Sequence, residues 1–208
     1  VKKIVILISG RGSNMEAIVR AGLPARIVAV ISNRVEAAGL EFALQAGIPT
    51  LVVDERESTS REAFERSLAE SIDAYSPDLI ALAGFMRVLG AECVTRYADR
   101  MVNIHPSLLP SFPGLHTHRR ALQEGVKVHG CTVHFVTPQV DHGPIIAQAA
   151  VPVRAGDTEA LLAARVLKQE HRIYPLALRW FAEDRLVLEN GLVRVNGAGA
   201  GQSIFAEE

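Results

Sequence analysis

The sequence predicts an α/β fold: a doubly wound, mostly parallel sheet with an antiparallel C-terminal β addition and a long C-terminal helix. Three observations lead there. Apolar runs such as KIVILIS (3–9), RIVAVIS (26–32) and PDLIALAG (77–84) are continuous rather than alternating, the pattern of strands buried on both faces of a parallel sheet. Segments with helical spacing separate them, as crossover connections require. Beyond residue 106 the style changes, and two apolar segments joined by a short connection suit an antiparallel pair.

Taken in order, the strand at 3–9 ends at Gly10, and Ser13 or Asn14 is expected to cap a helix running to about Arg20. A second strand at 26–32 precedes a helix from about Glu36 to Gln45, stopped by Gly47, and TLVVD (50–54) is a third. Within 60–75, Phe64, Leu68 and Ile72 lie four apart and give a charged helix one apolar stripe. The strand at 77–84, a short helix near 91–97 and the strand MVNIH (101–105) complete the first half. Pro106, Pro110, Pro113 and Gly114 make 106–116 a loop, followed by a helix at 116–125 and strands at 130–137 and 144–153.

Asp157 is expected to cap a long helix reaching about Phe181. Leu162, Val166, Gln169 and Ile173 line one side of it, and Pro175 should kink it. RLVLENGLVRV (185–195) reads as a hairpin turning at Asn190–Gly191, and the glycine- and alanine-rich stretch 196–208 as a disordered tail. With no repeat and no clear linker, 1–195 reads as one domain with halves 1–105 and 106–195.

Composition narrows the function classes. The 208 residues are 49% apolar and 22% charged, with a formal net charge of −1. This is a soluble, globular balance with no electrostatic case for a nucleic-acid or membrane partner. No apolar run approaches the ~20 residues that span a bilayer. Cys93 and Cys131 lie far apart with no CxxC spacing. Two buried thiols in a reducing cytoplasm are the expectation.

Two stretches carry chemistry. SGRGSN (9–14) joins the first strand to the first helix, and its glycines with a helix start suit an anion, above all a phosphate. It lacks the lysine of a GxxxxGK[ST] loop and the third glycine of GxGxxG, so a plain structural turn stays open as the alternative. In VNIHPSLLP (102–110), Asn103 and His105 fall on one face at the end of an otherwise apolar strand. Open α/β sheets bind ligands at such carboxyl ends. The alternative there is a turn-forming asparagine with a satisfied, half-buried histidine.

A third group changes that balance. VDHGPII (140–146) carries Asp141 in a loop from which a carboxylate can reach the His105 ring and favour the imidazolium. Asn103 can donate to a developing oxyanion. None of the three is an obvious nucleophile, so they suit proton handling and oxyanion stabilisation. Six histidines fall between positions 105 and 142 (His105, His116, His118, His129, His134 and His142), but none forms HExxH or another tight ligand motif. No metal is expected, and the HTH of 116–118 reads as substrate-lining or solvated.

Together ISGRGSNMEAI (8–18), LAGFMRVL (82–89), NIHPSLLPSFPGLHTHRRAL (103–122), HGCTVHFVTPQVDHGPIIAQ (129–148) and KQEHRIYP (168–175) resemble the folate-dependent phosphoribosylglycinamide formyltransferase family of purine synthesis. NIHPSLLP with VDxGP is shared more widely among formyltransferases, whereas the GSN loop with PGLHTH points to the small glycinamide ribonucleotide members. The resemblance implies a nucleotide-binding first half and a folate-binding, catalytic second half. It implies Asn103, His105 and Asp141 as the catalytic trio, and the backbone at Gly12, Ser13 and Asn14 as the phosphate cradle. Glu170 would be a ribose partner. Arg61, Met86, Arg87, Val88 and Leu89, with Asn103 and Asp141, would form the folate site, the arginines facing the glutamate tail.

The co-substrate implied is 10-formyltetrahydrofolate, with small-molecule substrates, no metal, a cytoplasmic location and a monomeric or homodimeric state. Two positions depart from the family pattern. Arg11 replaces a small or amide side chain, and His142 replaces a small residue beside Asp141. A formyltransferase or formyl-folate hydrolase with another acceptor is the runner-up, although the chain length is expected to leave no room for a further domain. A non-catalytic nucleotide-binding module is the alternative of a different class.

Overall fold

The computed structural model describes residues 1–197 and 201–206, and the chain divides into two compact units that meet between Asn103 and Ile104. In the first unit β1 (Lys2–Ile8), β2 (Ala25–Ser32), β3 (Thr50–Val52), β4 (Leu79–Leu82) and β5 (Met101–His105) run in the order β5-β4-β1-β2-β3. Every pairing among them is parallel. Ile4 through Ile8 are fully buried, which is why this strand reads as one uninterrupted apolar run.

Between the strands lie α1 (Ser13–Arg20), α2 (Gly39–Gln45), α3 (Arg61–Asp73) and α4 (Ala91–Arg96). Helix α1 packs against α2, and α3 against α4. The expected stripe on α3 is buried at Phe64, Leu68 and Ile72, and the Ser60 hydroxyl caps the helix by accepting the Ala63 N–H. The strand order reverses at β1, whose neighbours are β4 on one side and β2 on the other. The loops after β1 and β4 therefore flank the topological switch point, where open α/β sheets take ligands.

The chain enters the second unit within β5. Here α5 (Thr117–Gln123), β6 (Val128–Phe135), β7 (Ile145–Pro152), α6 (Glu159–Ala182), β8 (Leu186–Glu189), β9 (Leu192–Val195) and β10 (Ser203–Phe205) follow. Strands β6 and β7 pair antiparallel, as the sequence predicts, and β8 and β9 form the hairpin. Helix α6 packs on β6 and β7 through the expected side carrying Leu162, Val166, Gln169 and Ile173.

The two expected caps and the expected tail are corrected. No side chain caps α1; Gly12 takes the cap position with φ +77°, a conformation that favours glycine. The cap of α6 is Thr158, whose hydroxyl accepts the Leu161 N–H, whereas Asp157 is committed to Arg165 at 2.7 and 2.8 Å. Helix α6 is continuous through Pro175 to Ala182. The tail is not disordered over 201–206: β10 adds parallel to β7, with Gln148 N–H on Gln202 O and Ala206 N–H on Ala150 O. An unpaired β7 edge supplies the backbone partners that the local composition does not reveal. Positions 198–200 and 207–208 of that expected tail lie outside the described residues.

Candidate active site

The end of β5 presents Asn103, half-buried, and two residues later His105, which is 6% exposed. His105 Nε2 lies 3.0 Å from the Phe112 carbonyl oxygen and Nδ1 lies 3.4 Å from Asp141 Oδ2. Both ring nitrogens thus face oxygen acceptors. A neutral ring can donate from only one of them; the imidazolium donates from both.

Asp141 is held from several sides. Its backbone has φ +52°, its Oδ2 accepts the Gly114 N–H at 2.8 Å, and its Oδ1 lies 3.9 Å from His134 Nε2. His134 could compete for the charge, but burial pushes its ring below the usual histidine range. Its Nδ1 also donates to the Phe135 carbonyl at 2.8 Å. The carboxylate therefore faces two rings, and burial disfavours the charged form of one of them, His134.

The position of Asp141 depends on its loop. A Cβ on Gly143 would come within 1.7 Å of the Phe135 carbonyl oxygen, so only glycine lets the chain pass there after the aspartate. His142 is exposed. Sequence reasoning brought His105 and Asp141 together and missed the flanking groups: His134, the Phe112 carbonyl and the Gly114 N–H. The signal for His134 was its place in the alternating GCTVHFVT.

A second histidine pair lies in the same unit, where His118 Nδ1 is 3.2 Å from His129 Nε2. Burial first, then the His118 neighbour, pushes His129 down from 6.5 to about 4. Above pH 6.5 both folded and unfolded chains carry the neutral ring, so nothing is lost there. Between about 6.5 and 4 the unfolded chain takes up a proton that the folded ring refuses, so stability should fall as the pH drops, by up to about 3 kcal/mol. Denaturant titrations of wild type and His129→Gln across this window check it: the variant should show the flatter dependence, and equal slopes would be the contrary result.

In the first unit the loops after β1 and β4 are joined. Ser9 Oγ donates to Asn33 Oδ1 at 2.6 Å and accepts the Met86 N–H at 2.8 Å. A Cβ on Gly12 would meet Gly39 Cα at 3.1 Å and Met15 Cε at 3.0 Å, so the glycine loop lies directly against the start of α2. Ser13 is half-buried, Asn14 buried, and Arg11 exposed. The first-turn N–H groups of α1 point away from the helix toward its open end, where an anion is favoured.

Arg61 and the 86–89 segment also come together, though not as free cations. Arg61 donates to the Val88 carbonyl at 3.0 Å and to Glu65 Oε1 at 2.8 Å, and Glu65 also accepts the Gly90 N–H. Arg87 pairs with Glu55 at 2.6 Å and lies over the Phe64 ring. Met86 and Val88 are exposed, while Leu89 is 7% exposed and packs inward. Glu170, on α6 of the second unit, is buried. Among the described residues no three His, Cys, Asp or Glu side chains gather as a metal-binding group, and no helix is long and apolar enough to cross a membrane.

A protein-family model described as formyl transferase matches residues 2–178. The chain is 52% identical over 198 residues to the phosphoribosylglycinamide formyltransferase of Escherichia coli, covering 93% of each. Among solved structures it is similar to glycinamide ribonucleotide transformylase 1 of Symbiobacterium toebii (53% identity, 94% of each chain, TM-score 0.91). It is also similar to the phosphoribosylglycinamide formyltransferase of Coxiella burnetii (49% identity, 98% of this chain and 99% of that one, TM-score 0.92).

Proposed function

The chain belongs to the formyl transferase family, and from that premise we propose that it transfers a formyl group from 10-formyltetrahydrofolate to the amine of 5-phosphoribosylglycinamide in purine synthesis. The observation that carries the mechanism is the His105 ring set between Asp141 and the Phe112 carbonyl at the end of the strand bearing Asn103. The free amine attacks the formyl carbon, and the carbonyl oxygen gains negative charge. Asn103 stabilises that charge by donating to it, and the His105 imidazolium by its positive charge beside it. Asp141 holds His105 cationic and, through water, helps a proton pass from the attacking amine to the departing folate nitrogen. No covalent enzyme intermediate is needed.

The remaining assignments belong to the same proposal. The backbone at Gly12, Ser13 and Asn14 holds the ribonucleotide phosphate at a helix start, and Glu170 meets a ribose hydroxyl. Met86, Val88 and the backbone around them take the folate, with Arg61 and Arg87 near its acidic tail. Because both arginines already face carboxylates, the tail adds to existing ion pairs. The proposed setting is the cytoplasm.

The direct experiment supplies purified protein with both substrates and follows formylated product. Release of tetrahydrofolate without the ribonucleotide would favour a hydrolase, and binding of both substrates without turnover a non-catalytic module. Substitution at Gly12 tests the phosphate cradle separately. Gly12→Ala must hold alanine at φ +77° against Gly39, so it should raise KM for the ribonucleotide roughly tenfold with kcat little changed. An unchanged KM would remove the loop from the phosphate site.

A further inference from the structure

We propose that Thr132 is a positioning residue for His105, acting through the loop that follows β5; the inference rests on the reading of His105 above. Thr132 is fully buried on β6. Its hydroxyl accepts the Leu109 N–H at 3.0 Å and a Gln148 Nε2 proton at 3.0 Å, and it donates to the Ser107 carbonyl at 2.7 Å. One donor and two acceptor sites exhaust what a hydroxyl offers. Gln148 Nε2 also reaches the Leu109 carbonyl at 2.9 Å, so 107–109 is fastened at both kinds of backbone group.

Ser107 passes the constraint on. It is fully buried, its N–H donates to the His105 carbonyl at 2.9 Å, and its hydroxyl faces the carbonyls of Ser111 at 2.6 Å and Phe112 at 3.1 Å. The Phe112 carbonyl is the oxygen that His105 Nε2 addresses. A contiguous polar path therefore runs from Thr132 through Ser107 and Phe112 to the imidazole. Gly130 keeps the loop close to β6, because a Cβ there would meet the Leu108 side chain at 2.9 Å and the Ala149 oxygen at 1.9 Å. Two residues beyond Thr132, the same strand sets His134 opposite Asp141. Strand β6 thus controls both partners of the His105–Asp141 pair, from residues that touch neither substrate in the proposed reaction.

The test compares Thr132→Val, which keeps the shape and removes the hydroxyl, with Thr132→Ser, which keeps the hydroxyl. In the valine variant kcat should fall roughly ten- to a hundredfold, as small misplacements of a reacting group do, with KM for both substrates within about threefold. The His105 Nε2–H proton resonance, assigned by its loss in His105→Ala, should exchange faster with solvent. The serine variant should match wild type in both. If Thr132→Val does not fold, Gln148→Met removes a donor from the same junction at a half-buried position and should lower kcat several-fold with the same change in the resonance.

The proposal is overturned by a folded valine variant with wild-type kcat, by a slowed one whose His105 resonance is unchanged, or by a serine variant as slow as the valine one. Where only Gln148→Met folds, an unchanged kcat or resonance overturns it. The resonance reports His105 without turnover. Wild-type activity in His105→Ala would therefore sink the catalytic reading while leaving this positioning test intact.

Discussion

Replacing His105 with alanine is expected to lower kcat for formyl transfer roughly a thousandfold, the scale set by losing a positive charge beside the developing oxyanion. The fold should survive. The ring is buried at the end of a strand whose preceding residues are held by the parallel ladder with β4. KM for either substrate should move little, because the interaction lost is made mainly in the transition state. Steady-state rates with both substrates saturating, beside circular dichroism of the same preparation, check this. A kcat within tenfold of wild type would remove His105 from the chemistry.

Asp141→Asn is expected to cost roughly a hundredfold in kcat for a different reason. Asparagine tolerates the left-handed backbone at φ +52° better than alanine would, and its amide oxygen can still accept the Gly114 N–H. What disappears is the negative charge 3.4 Å from His105 Nδ1. The variant should therefore fold like wild type and fail in turnover. Thermal melts with single-turnover rates separate the two; a stable variant with wild-type rates would show that the charge does not matter.

Much of this architecture was legible along the chain because burial leaves a direct trace in residue type. KIVILIS reads as an inner parallel strand since both of its faces are buried, and Phe64, Leu68 and Ile72 read as a helix face since they form the buried stripe of α3. The errors arose where two neighbouring residues compete for one role. Asp157 and Thr158 are both good caps; the arginine at 165 takes the aspartate and leaves the hydroxyl to the helix. At α1, Ser13 and Asn14 have capping chemistry, yet the left-handed turn at Gly12 ends the loop one residue earlier.

Long-range partners left no local signal. Strand β10 forms because β7 has an edge to pair with, and nothing in QSIFA announces that edge. The site divides in the same way. Asn103, His105 and Asp141 could be picked out as polar groups misplaced in apolar or glycine-rich surroundings. The Phe112 carbonyl and the Gly114 N–H are backbone groups, invisible in residue type, and they become partners only once the proline loop folds over β6.

The most direct measurement is a double-mutant cycle on kcat with His105→Ala, Asp141→Asn and the two combined. If imidazolium and carboxylate act as one unit on the reacting carbonyl, the combined variant should be no more than about tenfold slower than His105→Ala alone. A double variant whose loss equals the product of the two single losses would contradict that coupling.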